Sequence, residues 1–160
     1  MLARRPYSVA ELRRALERKF PSSAGIAEAL ARLRGLGVLD DRKLAEHYAS
    51  VLAQERHYGR HRIRRELKAR LVDYKTIDPA IERTFKETDE RELLEQVLAK
   101  KVRTLRLPLT SARLSSLCQS LMRRGFSAGD IMKAVRSRPE LRPVADAMDT
   151  SEFEASEGKF

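Results

Sequence analysis

Several features that would announce an enzyme, a secreted protein or a membrane protein are scarce in this chain. Cys118 is the only cysteine among 160 residues, so no internal disulfide can form, and a reducing cytoplasm is the expected setting. Tryptophan is absent and aromatics make up only 6%, which with 42% hydrophobic and 35% charged residues describes amphipathic helices with narrow apolar stripes. The seven glycines are scattered, leaving no glycine-rich loop to cradle a phosphate. No apolar run approaches the ~20 residues of a membrane span, and the opening MLARRPYSVAELRR turns charged before a signal-peptide core could form. No segment alternates apolar and polar residues with the period of two that a strand requires.

Positive charge is plentiful. Charged residues make up 35% of the chain, the formal charge is +10 and the pI is near 10.2. Such a balance favours an acidic partner, either a nucleic acid or a protein with acidic patches, over a surface that is basic only for solubility.

The apolar residues follow a helical pattern that recurs. Leu12, Leu16, Ile26 and Leu30 reappear fifty-one residues later as Ile63, Leu67, Ile77 and Ile81, and after fifty-four more as Leu117, Leu121, Ile131 and Val135. Each copy has two pairs spaced four apart, the i, i+4 spacing of one helix face. Such a small unit cannot bury its apolar face alone, so copies must pack on one another. The expected fold is all-α, an elongated array of three tandem three-helix repeats. The first repeat is placed at 1–58, the second at 59–107 and the third, with an indistinct last helix, at 108–145. Residues 146–160 carry Asp146, Asp149, Glu152, Glu154 and Glu157 against Lys159 alone, and read as an acidic, disordered tail.

Local signals place the helices. Ser8 and Glu11 form a capping box, and Pro21 ends the first helix. Ser22 or Ser23 is expected to cap the second, which closes near Gly35 and Gly37, and Asp40 or Asp41 to cap the third. Asp73 opens a helix with Pro79 in its first turn. Thr88 or Asp89 caps the next, which Pro108 closes. The last pair starts at Ser111 and Ser127, with Gly125 between them.

Two basic stretches stand out. Residues 56–70 read RHYGRHRIRRELKAR, with Arg56, Arg60, Arg62, Arg64, Arg65, Lys68 and Arg70 against Glu66 alone. On a helix, Ile63 and Leu67 face inward while Arg60, Arg64 and Lys68 share another face, and Tyr58 is suited to stack on a base. A second run, free of acidic residues between Glu95 and Asp130, holds Lys100, Lys101, Arg103, Arg106, Arg113, Arg123 and Arg124. From these stretches the candidate binding residues are Arg56, Tyr58, Arg60, Arg62, Arg64, Arg65, Lys68, Arg70, Lys100, Lys101, Arg103, Arg123 and Arg124.

Other chemistry is poorly supported. His57 and His61 have metal-ligand spacing, but Gly59 divides them, no third ligand follows and arginines surround them. Cys118 lacks a histidine base and reads as a packing residue. No catalytic, cofactor or metal site is expected.

The run from Leu39 to Arg70 resembles the RecX family of bacterial recombination regulators. The shared pattern is a Leu-Asp-Asp turn at Leu39-Asp40-Asp41, a Gly-Tyr-Gly-like element at His57-Tyr58-Gly59, and a basic helix at Arg62-Ile63-Arg64-Arg65-Glu66-Leu67. RPYSVAELRRALERKF and LMRRGFSAGDIMKAV resemble the family's start and third repeat, so the likeness covers roughly residues 5 to 138. Many family members have Phe in place of Leu44 and Gly in place of Leu71. The resemblance implies a non-enzymatic array that binds the filament RecA forms on single-stranded DNA and inhibits its ATPase, strand-exchange and coprotease functions. The partners it implies are RecA and single-stranded DNA, met directly or through the filament. The alternative is direct nucleic-acid binding through the basic helices without RecA. No heptad pattern favours self-association, so a monomer is expected.

Overall fold

The computed structural model describes residues 6–21, 24–105 and 109–148. These residues form nine helices and no strand: α1 (Val9–Lys19), α2 (Ile26–Gly35), α3 (Asp41–Gln54), α4 (Arg60–Ala69), α5 (Tyr74–Glu87), α6 (Glu90–Val102), α7 (Ser111–Arg123), α8 (Ala128–Arg136) and α9 (Arg142–Asp146). The all-α expectation holds. Among the described residues, no helix is long and apolar enough to cross a membrane.

The helix starts follow capping chemistry. Ser8 caps α1 in a complete capping box with Glu11. The Asp40 carboxylate accepts from the Arg42 and Lys43 amides at the start of α3. Asp89, Thr110 and Ser127 cap α6, α7 and α8 through their side chains. Three expectations need correction. The N-cap of α2 is Gly25, which has no side chain to offer, while Ser22 and Ser23 lie outside the described residues. Asp73 accepts from the Lys75 amide, so α5 starts at Tyr74 and Pro79 falls inside the helix, past its first turn. The buried Ile77, Ala80 and Ile81 anchor the helix on both sides of the missing proline donor. Finally, α6 already ends at Val102, before Pro108, which also lies outside the described residues.

Four helix ends turn through the left-handed region. Gly37 (φ 68°), His57 (φ 53°), Leu71 (φ 57°) and Gly125 (φ 95°) follow α2, α3, α4 and α7. After α4, the Leu71 amide donates to Lys68 O at 2.8 Å and the Val72 amide to Leu67 O at 3.2 Å. After α7, Gly125 and Phe126 repeat this pattern with Met122 and Leu121. These are Schellman closures, which favour glycine at the turning residue. His57 and Leu71 hold that conformation with a Cβ and carry its strain.

The chain divides into two compact units, Met1–Val51 with Arg64–Thr84, and Leu52–Ile63 with Phe85–Phe160. In the first, Leu12, Leu30 and Leu39 form a buried cluster, with Tyr7, Val9, Leu16, Ile26 and Leu33 around it. The start of α1 is fixed by polar contacts. The Asp41 carboxylate accepts from the Val9 amide at 2.8 Å, and the buried Ser8 hydroxyl donates to Arg70 O at 2.6 Å. Burial holds the Asp41 carboxyl above the usual aspartate range, against the opposing effect of the Val9 hydrogen bond.

In the second unit, α7, α8 and α9 pack together, and α6 packs against both α7 and α8. The sequence grouped α6 with the second repeat. Short α9, preceded by buried Leu141 and carrying buried Ala145, is the indistinct last helix of the third repeat, with Pro143 in its first turn. The repeat pattern is clearest in the burial of its second and third copies, while Leu16 and Ile26 of the first are only half-buried. Ile63, Leu67, Ile77, Ile81, Leu121, Ile131 and Val135 are each at most 1% exposed. Each such side chain contributes about 1.5–3 kcal/mol of transfer free energy relative to full exposure. Of the expected tail 146–160, Asp146 instead ends α9 and pairs with Arg136 and Arg142, and residues 149–160 lie outside the described residues.

Candidate functional site

The candidate cations separate into two groups by what their charges already touch. Arg60 donates through its amide and Nε to the two Glu90 carboxylate oxygens at 2.8 and 2.9 Å, and its guanidinium lies 4.8 Å from the Phe85 ring. Arg64 donates to Asp78 at 2.9 and 3.1 Å. Arg70 is the most enclosed of the three. Its guanidinium pairs with Glu11 at 3.0 Å, with the two side chains only 11% and 13% exposed, and lies over the Tyr48 ring at 4.9 Å. Arg62 sits over Tyr58, 5.2 Å from the ring centroid, and Arg65 and Arg123 have interactions of their own. Glu66 was the only acid near these cations in sequence; the partners Glu90, Asp78 and Glu11 come from elsewhere in the chain.

The second group keeps its charge available. Arg56, Lys68, Lys100, Lys101, Arg103 and Arg124 have no carboxylate at ion-pair distance among the described residues. Four of them converge. Arg56, Lys100, Lys101 and Arg124 line one cavity of about 450 Å³ together with Glu55, His57, Tyr58, Val97 and Thr104. Val97, Lys100 and Lys101 present one face of α6, as their spacing of three and four requires, and Thr104 follows just past its C-cap. The segment 55–58 supplies a second wall and Arg124, at the C-cap of α7, a third.

Backbone contacts hold these walls together. The Gly59 amide donates to Arg124 O at 2.9 Å, the His61 amide donates to Gly125 O at 3.1 Å, and Arg124 Nη1 donates to Arg56 O at 3.0 Å. Gly59 is required by the approach itself. A Cβ there would stand 2.4 Å from Gly125 O and 2.6 Å from Gly125 C. Gly125 is hemmed in equally, since a Cβ on it would meet Arg62 N at 2.2 Å. The site places Tyr58 beside two basic stretches forty residues apart in sequence, a feature the charge runs alone did not reveal.

Comparison with known proteins agrees with the sequence motifs. A model described as "RecX, second three-helix domain" matches residues 40–81. The regulatory protein RecX of Chlorobaculum tepidum is 34% identical over 137 residues, which cover 85% of this chain and 82% of that protein. The chain belongs to the RecX family. The regulatory protein RecX of Thermobifida fusca is 31% identical over 144 residues, covering 90% of this chain and 77% of its relative. Two crystal structures share the fold. One of a regulatory protein RecX gives a TM-score of 0.74 at 21% identity, covering 86% of this chain and 68% of that one. One of RecX from Lactobacillus salivarius gives 0.66 at 20% identity, with 85% and 88% covered.

The RecX motifs acquire physical roles in this structure. In the Gly-Tyr-Gly-like element, the first position is the left-handed residue closing α3, occupied here by His57, and the last is the close approach at Gly59. The Gly that many RecX proteins have in place of Leu71 would fit the left-handed end of α4. The RecX domain match opens at Asp40, the cap of α3, whereas the sequence partition closed a repeat with that helix at residue 58.

His47 is exposed, and His57 and His61 sit on either side of the α3–α4 break. Buried Cys118 is a packing residue, and burial pushes its thiol up to about 11.

Proposed function

We propose that this RecX-family chain is a negative regulator of RecA that binds the RecA–single-stranded DNA filament and inhibits its ATPase, strand-exchange and coprotease activities. The observation that carries this reading is the set of cations with no acidic partner among the described residues, four of them around one cavity, in a chain whose relatives are named regulatory proteins. Arg56, Lys100, Lys101 and Arg124 suit phosphates or acidic side chains on a polymer, because no carboxylate among the described residues has to be displaced before they engage. Arg60, Arg64 and Arg70 serve the chain's own packing first. The proposed action is non-enzymatic, obstructing ATP turnover and subunit addition by contact with the filament in the cytoplasm. The test is single-stranded-DNA-dependent ATP hydrolysis by the cognate RecA, with this protein titrated from well below stoichiometric amounts. Inhibition at substoichiometric ratios is expected. No inhibition up to excess would refute the reading and make naked nucleic acid the partner to pursue.

A further inference from the structure

We propose that the cavity between residues 55–58, α6 and Arg124 is a binding site for a nucleotide, holding its phosphates on the cations and its base against Tyr58. The proposal goes beyond filament regulation and does not depend on it. Size is the first argument. A half-open volume of about 450 Å³ lies within the ~300–1,000 Å³ range of small-molecule sites, so a nucleotide fits it.

Charge is the second argument. Arg56, Lys100, Lys101 and Arg124 face Glu55 as the single lining carboxylate, and none of the four is ion-paired among the described residues. A second-unit cavity elsewhere differs, since Asp89, Glu92, Glu95 and Asp130 there outnumber Arg91 and Lys133. A concave surface with uncompensated positive charge focuses potential on an anion, and a di- or triphosphate neutralises several cations at once. Arg124 is also pre-positioned, because its Nη1 bond to Arg56 O fixes one edge of the guanidinium while the other donors remain.

Strain and an unsatisfied group supply the third. His57 lines the cavity in a left-handed conformation that glycine would adopt without cost, and its buried Nδ1 has no hydrogen-bond partner among the described residues. Backbone strain and an orphaned buried polar atom at the same residue are marks of a ligand site. An aromatic ring in the same wall provides the stacking surface a base needs, which pure anion sites lack.

The experiment is calorimetric titration of the full-length protein, without recombinase, with ADP, ATP, inorganic pyrophosphate and a short single-stranded oligonucleotide at ~100 mM salt. Saturable one-to-one binding of ADP or ATP is expected, tighter than pyrophosphate because the base contributes. Lys100→Gln/Lys101→Gln should weaken ADP binding at least ~10-fold, from the loss of two charge-assisted contacts. Tyr58→Leu should remove the advantage of ADP over pyrophosphate. Lys75→Gln, on α5, should leave binding unchanged, with circular dichroism verifying the fold of each variant. Absence of saturable ADP and ATP binding at millimolar concentration would overturn the proposal. So would binding indifferent to Lys100→Gln/Lys101→Gln, or an oligonucleotide bound through these lysines by a protein that ignores free nucleotides.

Discussion

Replacing Gly59 by alanine adds one methyl group and should be among the most damaging small substitutions in the second unit. Gly59 has no positive φ, so the effect is steric rather than conformational. The new Cβ would lie 2.4, 2.6 and 2.9 Å from Gly125 O, Gly125 C and Phe126 N, all backbone atoms that cannot swing aside as a side chain can. The α3–α4 segment must therefore move away from the α7–α8 corner. That movement breaks the Gly59 N–H to Arg124 O bond at 2.9 Å and the His61 N–H to Gly125 O bond at 3.1 Å. At about 1 kcal/mol for each bond and about 1–3 kcal/mol for overpacking, the loss is about 3–5 kcal/mol. Gly59 directly precedes α4, where glycine caps better than alanine, and this adds up to about 1 kcal/mol. Gly129→Ala is the matched control: nothing lies within 4 Å of its Cβ, and helix propensity makes the change neutral to stabilising by up to ~1 kcal/mol. Urea denaturation followed by circular dichroism at 222 nm reads both. A Gly59→Ala loss below ~1 kcal/mol would refute the close-approach argument.

Other substitutions separate the remaining effects. At Leu71, Gly should be more stable than Ala by about 1 kcal/mol, because both delete the same side chain and only Ala keeps the left-handed strain; equal stability would remove strain as the explanation. Arg70→Met should cost about 2–4 kcal/mol by removing the guanidinium from largely buried Glu11, which keeps its Ser8 amide bond, while Arg64→Met, whose pair with Asp78 is 37% and 56% exposed, should cost under ~1 kcal/mol. The two denaturation midpoints give the comparison directly. Asp41 supplies a pH signature. Its folded pKa lies above the unfolded value of 3.8, so the folded state takes up the proton first, and stability gained on acidification is lost as pH rises through the window just above 3.8. Asp41→Asn retains an acceptor oxygen for the Val9 amide, so its stability relative to the parent should improve between pH 4 and pH 7. A difference that is flat or of opposite sign would contradict the burial argument.

Much of the fold was legible because helix signals are local. The Ser8–Glu11 capping box, the caps at Asp40, Asp89 and Ser127, and the turn at Gly125 each lie within a few residues of what they control. Periodicity revealed the repeat but could not fix its phase. An apolar pattern recurring every fifty-odd residues is the same whether α3 closes one unit or opens the next, and the match from Asp40 takes it as an opening. The start of α5 at Asp73 was legible, but Pro79 lies past the first turn, because proline's preference for that turn is weaker than the anchoring of Ile77, Ala80 and Ile81.

The candidate site was only half legible. Counting charges found the basic stretches, yet whether a cation is available depends on partners distant in sequence, thirty residues away for Arg60–Glu90 and fifty-nine for Arg70–Glu11. The sequence placed Arg56 and Tyr58 in one stretch and Lys100, Lys101 and Arg124 in another. What joins them is the contact between Gly59 and Gly125, and neither glycine shows in sequence which backbone it must approach.

The central claim is that unpaired cations at the cavity, rather than the paired arginines, carry the inhibitory contact. Its most direct test compares RecA ATPase inhibition by the parent, by Lys100→Glu/Lys101→Glu and by Arg64→Glu/Asp78→Arg, which reverses an existing ion pair without changing net charge. Inhibition lost in the lysine variant at unchanged helicity, and kept in the swapped pair, is the expected result. Full inhibition by the lysine variant would contradict the account.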